Sequence, residues 1–208
     1  MLTLAVSRGR IWDEAAALLR ACGLAPDDAA LATRQLVIPT ENPLVRLLRV
    51  RAQDAPAFVA SGAAQAGIAG RDVLAERPVD EISCPLDLRI AVCRLVTAAP
   101  EGYRPAANKT PMVATKYPNL TQAHFAGRGA AVNIIKLHGA LELAPHVGVA
   151  DMIADLAASG RTLRENGLAE RETIMRVSAA LIVNRIAARR RPEVADLQRR
   201  IAAAIAGD

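Results

Sequence analysis

The sequence predicts an α/β protein of two lobes, and three observations lead there. Short apolar runs alternate with amphipathic stretches along the whole chain, the pattern of strands interleaved with helices. The alternation comes as two βα series, the second starting near Met112. Two longer β-like runs, Leu88 to Ala98 and Ile174 to Val183, lie at their borders. The chain is therefore expected to cross twice between a lobe I made of 1–88 plus 176–208 and a lobe II made of 89–175, with a ligand cleft between them.

Taken in order, Leu2 to Val6 is apolar throughout and reads as a buried strand, ended by the turn Ser7-Arg8-Gly9-Arg10. Ile11, Ala15, Leu18, Leu19 and Cys22 recur at helical spacing, and Gly23 suits the helix end. Gln35 to Ile38 and Val45 to Val50 read as strands around the turn Thr40-Glu41-Asn42-Pro43. Asp54 suits the cap of a helix to about Ser61, with Pro56 tolerated in its first turn. Ala66 to Ala69 is a short strand, and Gly70-Arg71-Asp72 opens a short helix. In the second series Met112 to Thr115, Val132 to Lys136 and Met152 to Leu156 read as strands. Pro118 to Ala126 and Gly139 to Ala144 read as helices, the latter stopped by Pro145. Pro192 starts a final helix to about Ala206.

Composition narrows the function. Hydrophobic residues make up 52% of the 208 and charged residues 23%, a globular balance with core enough for a stable domain. The net charge of +5 rests almost wholly on arginine, since only Lys109, Lys116 and Lys136 are lysines. That points to an anionic partner, with solvated arginines as the plainer reading. Aromatics are 2%, too few to stack on bases along a strand, which argues against a nucleic-acid groove. Cys22, Cys84 and Cys93 form no CxxC pair, so neither a disulfide framework nor structural zinc is expected. His124, His138 and His146 lack metal-ligand spacing. No run reaches the roughly 18 apolar residues of a membrane span, and no charged leader with an apolar core opens the chain, so a soluble cytoplasmic protein is expected.

Four segments carry chemistry. In Asp151 to Thr162, two acids four residues apart share a face, and Ser159, Gly160, Arg161 and Thr162 follow as a small-residue loop. Backbone N–H groups and hydroxyls there suit a phosphate, and acids suit sugar hydroxyls, which is the layout a ribose 5-phosphate needs. An ordinary strand with a polar turn is the plainer alternative. Arg8, Gly9 and Arg10 sit where open α/β sheets bind ligands, and planar guanidinium groups suit pyrophosphate; a solvated turn explains them equally well. Lys116 and Tyr117 precede a helix start at Pro118 and suit a phosphate or a stacked base, or merely cap the helix. Glu142 falls in the first turn of the helix expected from Gly139, where the helix dipole alone favours an acid.

The order of these segments resembles the ATP phosphoribosyltransferase catalytic family, in its short form. SRGRIWDEA, RQLVIPTENPLVRLLRVRAQDAP, AGIAGRDVL, ATKYPNLT, IIKLHGALELAP, VGVADMIADLAASGRTLRENGL and LIVNR carry the resemblance, from residue 5 to about 185. It implies a fold similar to type II periplasmic binding proteins, with the active site in the interlobe cleft. It implies attack of adenine N1 of ATP on C1′ of phosphoribosyl pyrophosphate, with Mg²⁺ accompanying the substrates and no metal held by protein side chains. Asp151, Asp155, Ser159, Gly160, Arg161 and Thr162 then bind the phosphoribosyl group. Arg10 and Arg34 neutralise the departing pyrophosphate, a role a neighbouring protomer can share, and Arg8, Gly9, Lys116, Tyr117 and Glu142 serve ATP or pyrophosphate. The same resemblance implies a homodimer of catalytic chains and a regulatory subunit resembling histidyl-tRNA synthetase, assembled as a hetero-octamer. The sequence departs from the family at Arg8, where lysine is common, and at Ala140 and Ala158, where polar or acidic residues are common, so hydrogen bonds from those side chains are missing.

Two rival functions remain to be separated. A non-catalytic solute-binding module of the same fold is distinguished by tight binding without turnover, and a basic nucleic-acid binder by steeply salt-dependent affinity.

Overall fold

The computed structural model describes residues 1–106 and 108–207. The chain divides into two compact units, Met1–Ala91 with Ser178–Asp208, and Val92–Val177. Both crossings thus fall a few residues later than the boundaries read from the sequence.

The first unit opens with β1 (Leu2–Ser7), α1 (Arg10–Ala21), α2 (Asp28–Leu31), β2 (Val37–Pro39), β3 (Val45–Val50), α3 (Ala55–Ala60), β4 (Ala66–Gly70), α4 (Arg71–Glu76) and β5 (Ile82–Asp87). The second holds β6 (Cys93–Pro100), β7 (Met112–Thr115), α5 (Pro118–Ala126), β8 (Asn133–Lys136), α6 (Leu143–His146), β9 (Met152–Ala157), α7 (Arg161–Glu165) and β10 (Leu168–Val177). The chain then returns for β11 (Ala179–Asn184), α8 (Arg185–Arg190) and α9 (Pro192–Ala206).

In the first unit the six strands run in the order β2-β3-β1-β4-β11-β5. β1 is parallel to both its neighbours and buried along its full length, which explains why it reads as an unbroken apolar run. Its side chains alternate between two cores: Leu4 and Val6 pack with Leu47, Ile68 and Leu181, and Ala5 packs with Val59, Ala69 and Ile182. Helix α1 buries Trp12, Ala15, Leu18 and Leu19. It ends where Gly23 N–H reaches Arg20 O and Leu24 N–H reaches Leu19 O, a pattern that satisfies its last carbonyls. α9 starts on Pro192 and turns Val194, Leu197 and Ile201 into the same core.

The second unit orders its strands β10-β6-β9-β7-β8, so β9 is central. It is parallel to β7 and antiparallel to β6. Ile153 faces one core with Val96 and Ala114, while Met152 and Ala154 face another with Ala99 and Val113.

Several expected elements differ in their limits. The run Leu88 to Ala98 is strand only from Cys93, in β6: Arg89 (φ 56) and Ala91 (φ 52) adopt the left-handed region, which no strand accommodates, and β5 before it is an addition to the sequence reading. The run Ile174 to Val183 splits at Ser178 between β10 and β11, which lie in different sheets. The helix expected from Gly139 starts only at Leu143, because Ala140 is left-handed (φ 49), and Pro145 lies inside it rather than stopping it. Asp54 occupies the cap position of α3 without a side-chain capping bond. Helices α2, α7 and α8 are additions to the sequence reading.

The first crossing is fastened to the first unit. Asp87 accepts from Arg89 N at 3.0 Å and Ser178 Oγ at 2.8 Å. Burial opposes ionisation of Asp87, but these bonds and the Arg71 and Arg89 charges outweigh it and hold its pKa below the usual value. Cys22 is buried, Cys93 half-buried and Cys84 exposed, and none of the three is in a disulfide. Among the described residues no helix is long and apolar enough to cross a membrane.

Asn184 gives a stability test. Its Oδ1 accepts from Ile186 N and Ala187 N at 3.0 and 2.9 Å, capping α8, while Nδ2 donates to Val59 O and Ala60 O at 2.9 and 3.2 Å. Losing the cap and the donors to buried carbonyls in Asn184→Ala costs about 2–4 kcal/mol. Urea unfolding measures it, and a loss below about 0.5 kcal/mol, the range of an ordinary surface substitution, contradicts this account.

Candidate active site

In the second unit the site forms at the C-terminal edge of parallel strands β7 and β9, the edge at which α/β sheets bind ligands. β7 ends at Thr115, which is fully buried. Its hydroxyl donates to Ala154 O at 2.7 Å on the neighbouring strand and accepts from Tyr117 N at 2.9 Å. That pair of bonds bends the chain between strand and helix and sends the Lys116 side chain toward β9. Lys116 Nζ lies 3.4 Å from Asp155 Oδ2, with both side chains largely withdrawn from solvent. Asp155 Oδ1 also accepts from Leu156 N at 2.9 Å. Burial raises the Asp155 pKa above its ordinary value; the Lys116 charge works against this and the Glu142 carboxylate adds to it. Asp155, Lys116 and Glu142 therefore form one electrostatic group, with Glu142 at the cap position of α6 rather than in its first turn.

Beyond β9 the chain turns at Gly160, with φ 68 and ψ 9. The left-handed residue followed by helical residues turns successive N–H groups to one side, and the first turn of a helix leaves its N–H groups without helical partners. Ser159 Oγ accepts from Arg161 N at 3.4 Å. The Arg161 side chain is drawn to Glu165 at 2.6 Å, along the surface of α7. The Gly160–Thr162 segment thus brings backbone N–H groups and the Thr162 hydroxyl to the start of α7, an arrangement suited to an anion.

Two expected site residues fall elsewhere. Asp151 lies just before β9, at the opposite end of the strand from the loop, so four residues at ~3.3 Å each separate it from Asp155 by about 13 Å. Its oxygens are taken by Lys109 Nζ at 2.7 Å and Met112 N at 2.8 Å; the lysine bond first, then the backbone bond, hold its pKa below the usual value. It fastens the start of β9 and does not join Asp155. Tyr117 is 5% exposed and packs with Leu95 and Val177, so its ring is core and does not stack on a base.

In the first unit a second cationic group gathers at the C-terminal edge of β1 and β3. Ser7 pairs with Val50, and Arg8 N donates to Val50 O at 2.9 Å. Arg8 Nε donates to Arg49 O at 3.3 Å. Gly9 has φ 77 and ψ −148, a conformation that essentially only glycine adopts. It lets α1 begin at once with Arg10, whose Nε stands 3.5 Å from Glu14. Arg34 is exposed and makes no hydrogen bond or ion pair among the described residues. It lies on the approach to β2, at the same edge, since Arg49 N donates to Leu36 O at 2.8 Å. Arg49 stands at the same edge: its guanidinium sits 5.4 Å from the Trp12 ring centroid, and its buried Nε lacks a hydrogen-bond partner.

Among the described residues no group of three or more His, Cys, Asp or Glu side chains is placed to hold a metal ion. His124 instead joins Glu172 at 2.7 Å, and His146 joins Asn166 O at 2.8 Å.

Fold and site together define a two-unit α/β protein with an acid–lysine pair beside a small-residue loop suited to an anionic ligand. Solute-binding domains share the architecture: the glutamate-bound GluR0 ligand-binding core of Nostoc punctiforme has a TM-score of 0.63 at 13% identity, over 100% of this chain and 92% of that one. Likeness at that identity concerns the fold alone. The chain is far more similar to the ATP phosphoribosyl transferase (HisG:HisZ) complex of Thermotoga maritima, with a TM-score of 0.84 and 30% identity over 100% of both chains. The sequence model of ATP phosphoribosyltransferase matches residues 51–203. ATP phosphoribosyltransferase of Methylococcus capsulatus is 51% identical over 187 residues, 90% of this chain and 87% of that protein. That of Halorhodospira halophila is 48% identical over 192 residues, 92% and 89% of the two chains. The chain belongs to the ATP phosphoribosyltransferase family.

Proposed function

We infer that the chain transfers the 5-phosphoribosyl group of phosphoribosyl pyrophosphate to N1 of the adenine of ATP, giving N1-(5-phospho-β-D-ribosyl)-ATP and pyrophosphate, the first step of histidine biosynthesis. The observation that carries this reading is the placement of Asp155 between Lys116 and the Ser159–Thr162 loop at the end of the central strand. The loop takes the 5′-phosphate, Asp155 holds ribose hydroxyls, and Lys116 and Glu142 face the pyrophosphate and ATP. Arg8, Arg10 and Arg34 meet the charge of the pyrophosphate, with Gly9 giving the backbone room to turn.

N1 of adenine is a neutral, weak nucleophile, and the leaving group carries high negative charge. As the C1′–oxygen bond breaks, its electron pair departs with pyrophosphate while N1 bonds to C1′ on the opposite face. Alignment and stabilisation of the growing charge are what the protein supplies. Mg²⁺ fits this reading as a partner of the pyrophosphate oxygens, the manner in which it usually binds. A regulatory subunit resembling histidyl-tRNA synthetase, a hetero-octamer with it, a homodimer of catalytic chains and a cytoplasmic location belong to the same proposal. The HisG:HisZ complex of the Thermotoga relative supports the first of these.

The test is turnover of the purified chain with both substrates and Mg²⁺, with pyrophosphatase drawing the reaction forward and the product identified by mass. Thr162→Ala is expected to lower kcat/KM for phosphoribosyl pyrophosphate about tenfold or more, the loss of one hydrogen bond to a charged group. Absence of product, even with the regulatory subunit from the same source, returns the chain to a non-catalytic binding module.

A further inference from the structure

Charged side chains that the proposed reaction leaves unused converge on the loop from beneath. Gly160 is buried, and a Cβ built on it stands 2.7 Å from Glu170 Oε1 and 3.2 Å from Arg164 Nη1. Glu170 comes from β10 and is held by Arg94 of β6, whose Nη2 donates to both carboxylate oxygens at 3.0 and 3.1 Å. Arg164, in the short helix that follows the loop, donates through Nη1 to Ser159 O at 3.0 Å.

We propose that Glu170, clamped by Arg94, acts with Arg164 as a brace that positions the phosphoribosyl loop. The inference rests on the reading of Ser159–Thr162 as the 5′-phosphate site. A loop of small residues has little side-chain packing of its own, and its peptide planes must be held with N–H groups toward the anion and carbonyls away. Arg164 ties the Ser159 carbonyl down. Glu170 closes against the Cα of Gly160, filling the space that any side chain there needs. β10 and β6 are paired strands of the sheet that carries β9, so the brace refers the loop to the same rigid frame as Asp155. None of the three side chains is needed to touch substrate.

The brace and a purely electrostatic effect predict opposite signs. Glu170 is a negative charge beside a phosphate site, so if charge alone mattered, Glu170→Gln would tighten binding of the anionic sugar. If Glu170 positions the loop, the substitution weakens it.

The experiment is calorimetric titration of phosphoribosyl pyrophosphate with Mg²⁺ into wild type, Glu170→Gln and Arg164→Ala, with KM for each substrate measured alongside. Both variants are expected to bind the sugar about ten- to a hundredfold more weakly, the scale of a small misplacement of a binding group. KM for ATP should move less than about twofold, since the loop contacts only the sugar phosphate in this reading. Circular dichroism melts separate this from unfolding, and Arg164→Ala, at the exposed end of α7, keeps the test open if Glu170→Gln does not fold. Wild-type binding that is unchanged or tighter in Glu170→Gln and Arg164→Ala overturns the brace alone. A wild type that does not bind phosphoribosyl pyrophosphate overturns the loop reading, and the brace with it.

Discussion

Asp155→Asn lowers kcat/KM for phosphoribosyl pyrophosphate by about 10²- to 10⁴-fold while leaving the fold intact. A carboxylate accepting from two ribose hydroxyls loses about 1.5–3 kcal/mol for each charge-assisted bond that becomes neutral or reversed. An amide has nearly the same shape and keeps an acceptor for Leu156 N, which Asp155 Oδ1 now serves at 2.9 Å. Lys116 loses its partner at 3.4 Å, but it retains access to solvent, so its charge is not stranded. Steady-state kinetics beside thermal melts check the expectation. Unchanged kinetics in Asp155→Asn would remove the acid from the site, and a large fall in melting temperature would make its role structural.

The pH dependence of stability separates the same two roles. Burial raises the Asp155 pKa above the ordinary 3.8. The folded chain then holds the proton more tightly than the unfolded chain does. The resulting contribution to stability is full below 3.8, is lost as pH rises from there through the raised folded value, and stays lost at neutral pH. Ionised Asp155 is thus a cost that the fold carries at neutral pH. The neutral Asn removes that cost, so near pH 7 the variant should melt at the wild-type temperature or above it, with the difference shrinking in acid. A residue that lowers stability where the enzyme works is the kind retained for function.

The sequence made the loop and Asp155 legible because their signal is local: an apolar strand, an acid near its end, then Ser159, Gly160 and Thr162. The pairing of Asp151 with Asp155 is misleading for the same reason. A spacing of four puts two side chains on one face of a strand or a helix alike, but in a strand that face is long, and the structure gives each acid its own end of β9. A place just before a helix start says nothing about the burial of Tyr117; the contacts with Leu95 and Val177 decide it. The two crossings were legible as borders but not as breaks, since apolar runs continue through Ala91 and Ser178. The left-handed turns at Arg89 and Ala91 come from the crossing itself, not from residues that favour them. The brace is out of reach because Arg94 and Glu170, 76 residues apart, meet only through side chains on adjacent strands, and single-chain patterns carry no pairing register.

Arg10→Ala lowers kcat by about 10²- to 10³-fold, with the KM values for both substrates changed by less than about fivefold. Pyrophosphate gains charge only as its bond to C1′ breaks, so a guanidinium facing it stabilises the transition state more than the bound substrate. The place of Arg10 in α1 accords with that role. It occupies the first position of α1, a 12-residue helix whose positive end disfavours a cation, and Asp13 is the residue in that turn that suits the dipole. Its contact with Glu14 at 3.5 Å joins two half-exposed side chains, a kind of pair that adds little to stability. Gly9 meanwhile holds a conformation that puts Arg10 directly behind the strand end. Arg10→Lys restores the charge but not the planar fork, and should recover part of the lost kcat. An Arg10→Ala enzyme that turns over at the wild-type rate would remove Arg10 from the reaction and leave the pyrophosphate to Arg34 and the substrate's metal. A variant that loses KM with kcat intact would instead make Arg10 a binding group for the ground state.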